Sequence, residues 1–263
     1  MRIVTLLENT ACRVGLAAEH GLSLYIETGS HKLLFDAGQS AAFGDNGQKL
    51  GIDLSKVDLA VLSHGHYDHG GGLKRFLALN DHAPVYLSRW AFEPHWHGTE
   101  RCIGLDPALA AEPRLIPVDG TVELGGGLTL LDGAGREQPF PLDSAGLTVR
   151  RDGAFLPEDF RHEIYLRLQR PEGDLLISGC SHRGILNILH WFRPRTLVGG
   201  FHFMKLDPTG PDRQTLDHAA DILAEGDTVY YTGHCTGDAP FAYLQPRLPN
   251  RLHRIRTGTS LAL

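Results

Sequence analysis

The chain has 263 residues, 42% of them hydrophobic, enough to bury a sizeable core in one large domain or two small ones. Its 25 Lys and Arg stand against 31 Asp and Glu, a net charge of −6, with no basic block to track a nucleic-acid backbone. No apolar run approaches the roughly 18–20 residues that span a bilayer, and Cys12, Cys102, Cys180 and Cys235 lack the spacing of a secreted disulfide framework.

Residues 2–7 read as a first strand, and Glu8 follows too soon for a signal peptide, so a reducing, cytoplasmic setting is expected. A polar loop over 8–20 is long enough to form one wall of a site. Residues 22–28 and 32–36 are strands joined across Gly29-Ser30, a hairpin signal. Weak helical periodicity over 41–50 is broken by Gly44 and Gly47, and Asp53 or Ser55 starts a short turn. An apolar, β-branched run over 57–62 has the length of a buried strand, and a helix is expected over 72–79. Residues 84–87 are a short strand. Periodicity fails over 88–113, where His95-Trp96-His97 has no strand leading into it and no carboxylate after it; it reads as a substrate-side or surface loop.

Strands are expected at 115–118, 122–124 and 128–131. Residues 133–159 are Gly- and Pro-rich and read as a flap over the site. Strands at 163–168 and 174–178, a helix over 184–192 and a strand at 195–198 follow. A helix at 212–224, a strand at 228–231, a helix at 240–248 and a strand at 252–256 complete the order. No linker or charge block divides the chain, so residues 1–263 read as one domain with insertions near 88–113 and 133–159.

Chemistry concentrates after the strand at 57–62, in Ser63-His64-Gly65-His66-Tyr67-Asp68-His69-Gly70-Gly71-Gly72. Imidazole and carboxylate suit Zn, Fe and Mn. His64 and His66, two apart, can chelate one ion, while Asp68 and His69 reach toward a second. The glycines are expected to clear side chains where backbone passes close to the metals. Three later strands end in glycine-flanked histidines: Gly179-Cys180-Ser181-His182, Gly200-Phe201-His202 and Gly233-His234. Beside a metal motif these change meaning: His182 and His234 read as ligands, and His202 as a ligand, a general acid or a substrate contact. His64, His66, Asp68, His69, His182 and His234 together supply three ligands to each of two divalent ions, zinc first, with iron or manganese as alternatives. His202, left free, is expected to keep a pKa near neutrality and to protonate a leaving group. Asp68 joins it as the second residue at the reaction centre.

His-x-His-x-Asp-His after a buried strand resembles the metallo-β-lactamase superfamily. The resemblance implies an αββα sandwich, two sheets face to face with helices outside. It also places an aspartate such as Asp36 beneath the metal site, where it either orients a ligand imidazole or caps a turn. In the commonest pattern a strand ends in Gly-Asp, whose carboxylate bridges the metals. Here that strand ends in Gly179-Cys180. Cys180 is then a soft bridging ligand or a small buried residue, the second being favoured. The segments 179–188, 199–202 and 231–237 are further similar to the branch containing the dihydropterin–aminobenzene ribofuranosyl phosphate synthases.

Two metals lower the pKa of a bound water toward about 7. The resemblance thus implies a metal-dependent hydrolase that turns metal-bound hydroxide on a phosphoester or ester-like small molecule. A synthase-like transferase with diphosphate as leaving group is the alternative, and a non-catalytic metal- or ligand-binding domain the third reading. The expected partner is a small molecule, with neither nucleic acid nor membrane; the oligomeric state stays open, a homodimer included.

Overall fold

The computed structural model describes residues 1–263. Its first half contains β1 (Arg2–Leu7), β2 (Ser23–Glu27), β3 (Lys32–Phe35), α1 (Ala42–Lys49), β4 (Leu59–Leu62), α2 (Tyr67–Gly70), α3 (Leu73–Leu79) and β5 (Val85–Ser88). Short strands follow: β6 (His95–His97), β7 (Arg101–Cys102), β8 (Leu115–Val118), β9 (Val122–Gly125), β10 (Leu128–Asp132), β11 (Leu147–Arg151) and β12 (Ala154–Pro157). The second half has β13 (Ile164–Leu168), β14 (Leu175–Ile177), α4 (Ile185–Phe192), β15 (Thr196–Val198), α5 (Arg213–Ala224), β16 (Val229–Thr232), α6 (Asp238–Leu244), β17 (Leu252–Arg254) and β18 (Ser260–Ala262).

Two seven-stranded sheets form, in the orders β18-β1-β2-β3-β4-β5-β8 and β17-β16-β15-β14-β13-β10-β9. Parallel neighbours need crossovers, and the helices supply them: α1 between β3 and β4, α4 between β14 and β15, α5 between β15 and β16. Alternation along each strand sets the layers. In β4, Leu59 and Val61 join Phe35, Leu166, Ile177 and Val198 in a core between the sheets. Ala60 and Leu62 turn outward onto Phe43, Leu73 and Phe76. In the second sheet Leu176 and Leu197 face Ile185, Ile188 and Leu223 in the same way. This is the αββα sandwich, and strands buried on both faces explain its unbroken apolar runs.

Three details depart from expectation. Helix α1 runs through Gly44 and Gly47 unbroken, because Asn46 between them ties it to Leu6 O (2.8 Å) and Ala17 O (2.9 Å). β18 closes the first sheet against β1, with Arg2 opposite Ala262. The irregular stretches at 88–113 and 133–159 pair with each other in a third sheet, β12-β11-β6-β7. The β11–β12 hairpin turns at Asp152-Gly153, where both φ angles are positive (50° and 82°), the backbone that tight two-residue hairpins require. No helix is long and apolar enough to cross a membrane.

Candidate metal centre

The parallel strands β4, β14, β15 and β16 all release their chains at one edge, and their ends carry His64, His182, His202 and His234. Carboxyl ends of parallel strands are where such sheets place chemistry. Asp36 ends β3 with φ at 59° and accepts from Ser63 N (2.7 Å), Ser63 Oγ (2.8 Å) and His69 Nδ1 (2.6 Å). Since Ser63 gives its own proton to Asp36, its oxygen takes the proton of His64 Nδ1 at 2.8 Å. His234 Nδ1 lies 2.9 Å from Asn9 Oδ1 in the same manner. Three imidazoles are thereby fixed with Nε2 as the ligand nitrogen.

The six expected ligands fall into two groups. His64, His66 and His182 have ring centres 4.6, 4.8 and 4.8 Å apart, nearly perpendicular. Imidazoles whose nitrogens sit about 2 Å from a shared ion have centres roughly 5 Å apart. Buried His64 Nε2 and both nitrogens of His182 have no hydrogen-bond partner, an expensive arrangement that an ion resolves at His64 Nε2 and at one nitrogen of His182. In the second group, His69 Nε2 is 3.2 Å from His234 Nε2, and Asp68 Oδ2 is 3.4 Å from His234 and 3.8 Å from His69. His20, half exposed, adds a contact to Asp68 Oδ2 at 3.2 Å. The thiol of Cys180 sits between the groups, 3.2 Å from His69 Nε2. Both sets fit divalent ions.

Two buried carboxylates missing from the sequence-based site hold the ligand loops. Glu8 accepts from His234 N (2.6 Å), and Glu163 accepts from His182 N (2.7 Å) and Arg183 N (3.0 Å). Each pins backbone that is left-handed at or beside the ligand: φ is 49° at His234 and 58° at Ser181. Their only sequence signal is a glutamate next to a buried apolar strand. His95 is also a correction. It is fully buried in β6 rather than in a surface loop, and with it stand His162 and Glu158, which sequence reasoning passed over. The glycines act differently from expectation too. A Cβ on Gly65 or Gly72 would collide with the carbonyl of Ala91 or Ala37, so both serve backbone packing rather than metal clearance.

Burial, then neighbouring imidazoles, push His64, His66 and His182 well below their usual pKa, and burial brings His234 to about 4. Burial also opposes charge on His69, but Asp36 and Asp68 outweigh it and raise His69 to about 9. Asp68, despite burial, is held well below the carboxylate range by His69, His20 and His234. A proton therefore occupies His69 below pH 9 and competes with the second ion. Zinc binding near pH 7.5 should release one protein proton, that of His69, and none from the imidazoles of the first group, beside the proton lost by metal-bound water; the His69 proton alone raises second-ion affinity about tenfold per pH unit toward pH 9. Calorimetry in buffers of different ionisation enthalpy counts these protons. Burial and Cys235 push the Cys180 thiol well above its usual range. A second protein proton, absent in Cys180→Ser while the water proton stays, would make that thiol a ligand.

An αββα sandwich with these ligands at its strand ends defines a class, and residues 17–234 match the family model of the metallo-beta-lactamase superfamily. The chain belongs to that superfamily. It is similar to Tm1679, described as a metal-dependent hydrolase of the beta-lactamase superfamily, at 31% identity and a TM-score of 0.82 over 100% of this chain and 99% of that one. It is 28% identical to an uncharacterized protein, MJ0448, of Methanocaldococcus jannaschii over 89% of this chain and 90% of that protein. It is 25% identical to the 7,8-dihydropterin-6-methyl-4-(beta-D-ribofuranosyl)-aminobenzene-5'-phosphate synthase of the same organism, over 84% of this chain and 82% of that protein.

Proposed function

We propose that this protein is a two-ion hydrolase of an anionic phosphoester or ester-like small molecule. The observation that carries the reading is the pair of three-ligand groups set either side of Cys180; His182 of the first lines a cavity of about 660 Å³, and His234 of the second lines a separate one of about 270 Å³. Two divalent ions held there would activate water and polarise the bond under attack. Three protein ligands per ion leave positions for water and substrate.

The chain's own residues shape the rest. His182 and His202 line the cavity together with Lys205, and Phe140, Ile185 and Phe203 supply apolar wall. That lining suits a substrate with an anionic group and an apolar body. The His202 ring is 4.3 Å from that of His182, with φ at 57°. Burial, then Lys205, lowers its pKa to about 4, which corrects the expected near-neutral value. At neutral pH His202 is therefore a neutral imidazole. It donates one N–H to a developing negative oxygen instead of delivering a proton as an imidazolium.

His202→Ala should retain both ions and lower kcat by about 10²–10³. His202→Gln, whose amide can donate, should recover part of the loss. No limb of the pH–rate profile near 6.5 should vanish in either variant, because His202 does not titrate there; loss of an ion would instead make His202 a ligand.

Similarity to the synthase favours a second reading, a transferase with diphosphate as leaving group. Nitrophenol release from generic phosphodiesters or esters, abolished by chelation, supports the hydrolase. Diphosphate release only after an aromatic amine is added supports the transferase. Neither activity alongside tight small-molecule binding would leave a sensor and refute both.

A further inference from the structure

Beside His66 lies a second buried layer that the two ligand groups do not use. His95 from β6, Glu158 after β12 and His162 before β13 are all buried, and their ligand-capable atoms and that of His66 lie within 4.8 Å of one another. His95 Nδ1 donates to Glu158 Oε2 at 2.7 Å, and Phe160 N donates to Glu158 Oε1 at 3.2 Å. Gly65 N donates to His162 Nδ1 at 2.8 Å. Tautomers follow from these bonds. A backbone N–H can only donate, so His162 carries its proton on Nε2, which lies 3.8 Å from Glu158 Oε1. His95 carries its proton on Nδ1, toward Glu158, and so presents a lone pair on Nε2. The His66 ring stands 5.5 Å away at 78°, and its Nε2 is buried without a partner.

Charge poses the question. No lysine or arginine pairs with Glu158; its only ion-pair partners are His95 and His162. A buried carboxylate without a cation nearby is strongly disfavoured. A third ion within the layer does not answer it: His66 belongs to the first ion, and the proton on His162 Nε2 leaves that ring no lone pair to give, so only His95 and Glu158 would remain to hold one. The first ion, one imidazole away, does.

We propose that Glu158 and His95 are positioning residues for the first ion. His66 takes the ion on Nδ1 and turns its Nε2–H to the free lone pair of His95 Nε2. Glu158 then fixes the far side of His95 and balances the ion's charge through two rings. The third sheet acquires a purpose: β6 and the β11–β12 hairpin bring the His95 and Glu158 sides of this support together. The inference rests on the two-ion reading of the site.

Zinc competition with a chromophoric chelator, on stripped full-length protein, tests it. Glu158→Gln keeps the shape and an acceptor but removes the charge; His95→Gln is the second variant. Each should weaken one of the two zinc affinities by about 10–100-fold and leave the other unchanged. The Tm of the metal-free protein should not fall in Glu158→Gln. Wild-type affinity for both ions in both variants would overturn the inference alone. Equal weakening of both ions with a lower metal-free Tm would reduce the pair to a structural role, and a third zinc equivalent lost in the variants would make the layer an ion site. A wild type that takes up no zinc would sink the two-ion reading, and the inference with it.

Discussion

Replacing His64 or Asp68 by alanine is expected to remove at least one metal equivalent and nearly all turnover while leaving a folded protein. His64 contributes an Nε2 that is buried and unpaired, so its loss withdraws a ligand without breaking a satisfied hydrogen bond at that nitrogen. Asp68 is the only carboxylate touching both His69 and His234, at 3.8 and 3.4 Å. An active-site ion contributes several kcal/mol to transition-state stabilisation, which at 1.36 kcal/mol per decade is roughly a 10³-fold loss or more. Metal content by elemental analysis and an unchanged far-UV circular dichroism spectrum check both halves. Full metal and full turnover in either variant would dissolve the assignment.

Asp36→Ala should carry the largest cost in stability. Its carboxylate satisfies three buried donors at once, Ser63 N, Ser63 Oγ and His69 Nδ1. Removing one partner of a buried charged pair typically costs about 3–5 kcal/mol. For a chain of this size that is a fall of about 6–20 °C in the Tm of the metal-free protein. Asp36 is also the foremost group raising His69 to about 9 against the effect of burial, so the His69 proton released with the second ion should disappear from the count in this variant. Asp36→Asn separates the effects: it keeps an acceptor for Ser63 N–H but sets an amide against His69. Stability should partly return while second-ion affinity stays weak. Wild-type Tm in Asp36→Ala would show that the carboxylate carries no such load.

What the sequence makes legible here is what is local. The strand Leu59–Leu62 and the ligands just after it share one stretch of chain, and the glycine-flanked His182 and His234 announce themselves by type and position. The anchors are not local. Glu8 meets His234 across 226 positions, and no periodicity in either segment foretells the contact. His95 looks like loop because its partner strand β11 lies some fifty residues later, with Val149 opposite His95. The Asp152-Gly153 turn was a readable hairpin signal within that apparent flap. The pKa of His202 is a third case. Residue type sets a value near 6.5, and only the packed surroundings reveal the drop to about 4.

The central claim is that two ions, held by His64, His66 and His182 and by Asp68, His69 and His234, make this chain a hydrolase. Chelator-stripped protein titrated with zinc or manganese, with phosphodiester and ester turnover followed against bound metal, tests it most directly. Turnover should be absent in the stripped protein, rise with added metal and level off at two equivalents. Full turnover before any metal is added, or a plateau at fewer than one equivalent, would contradict it.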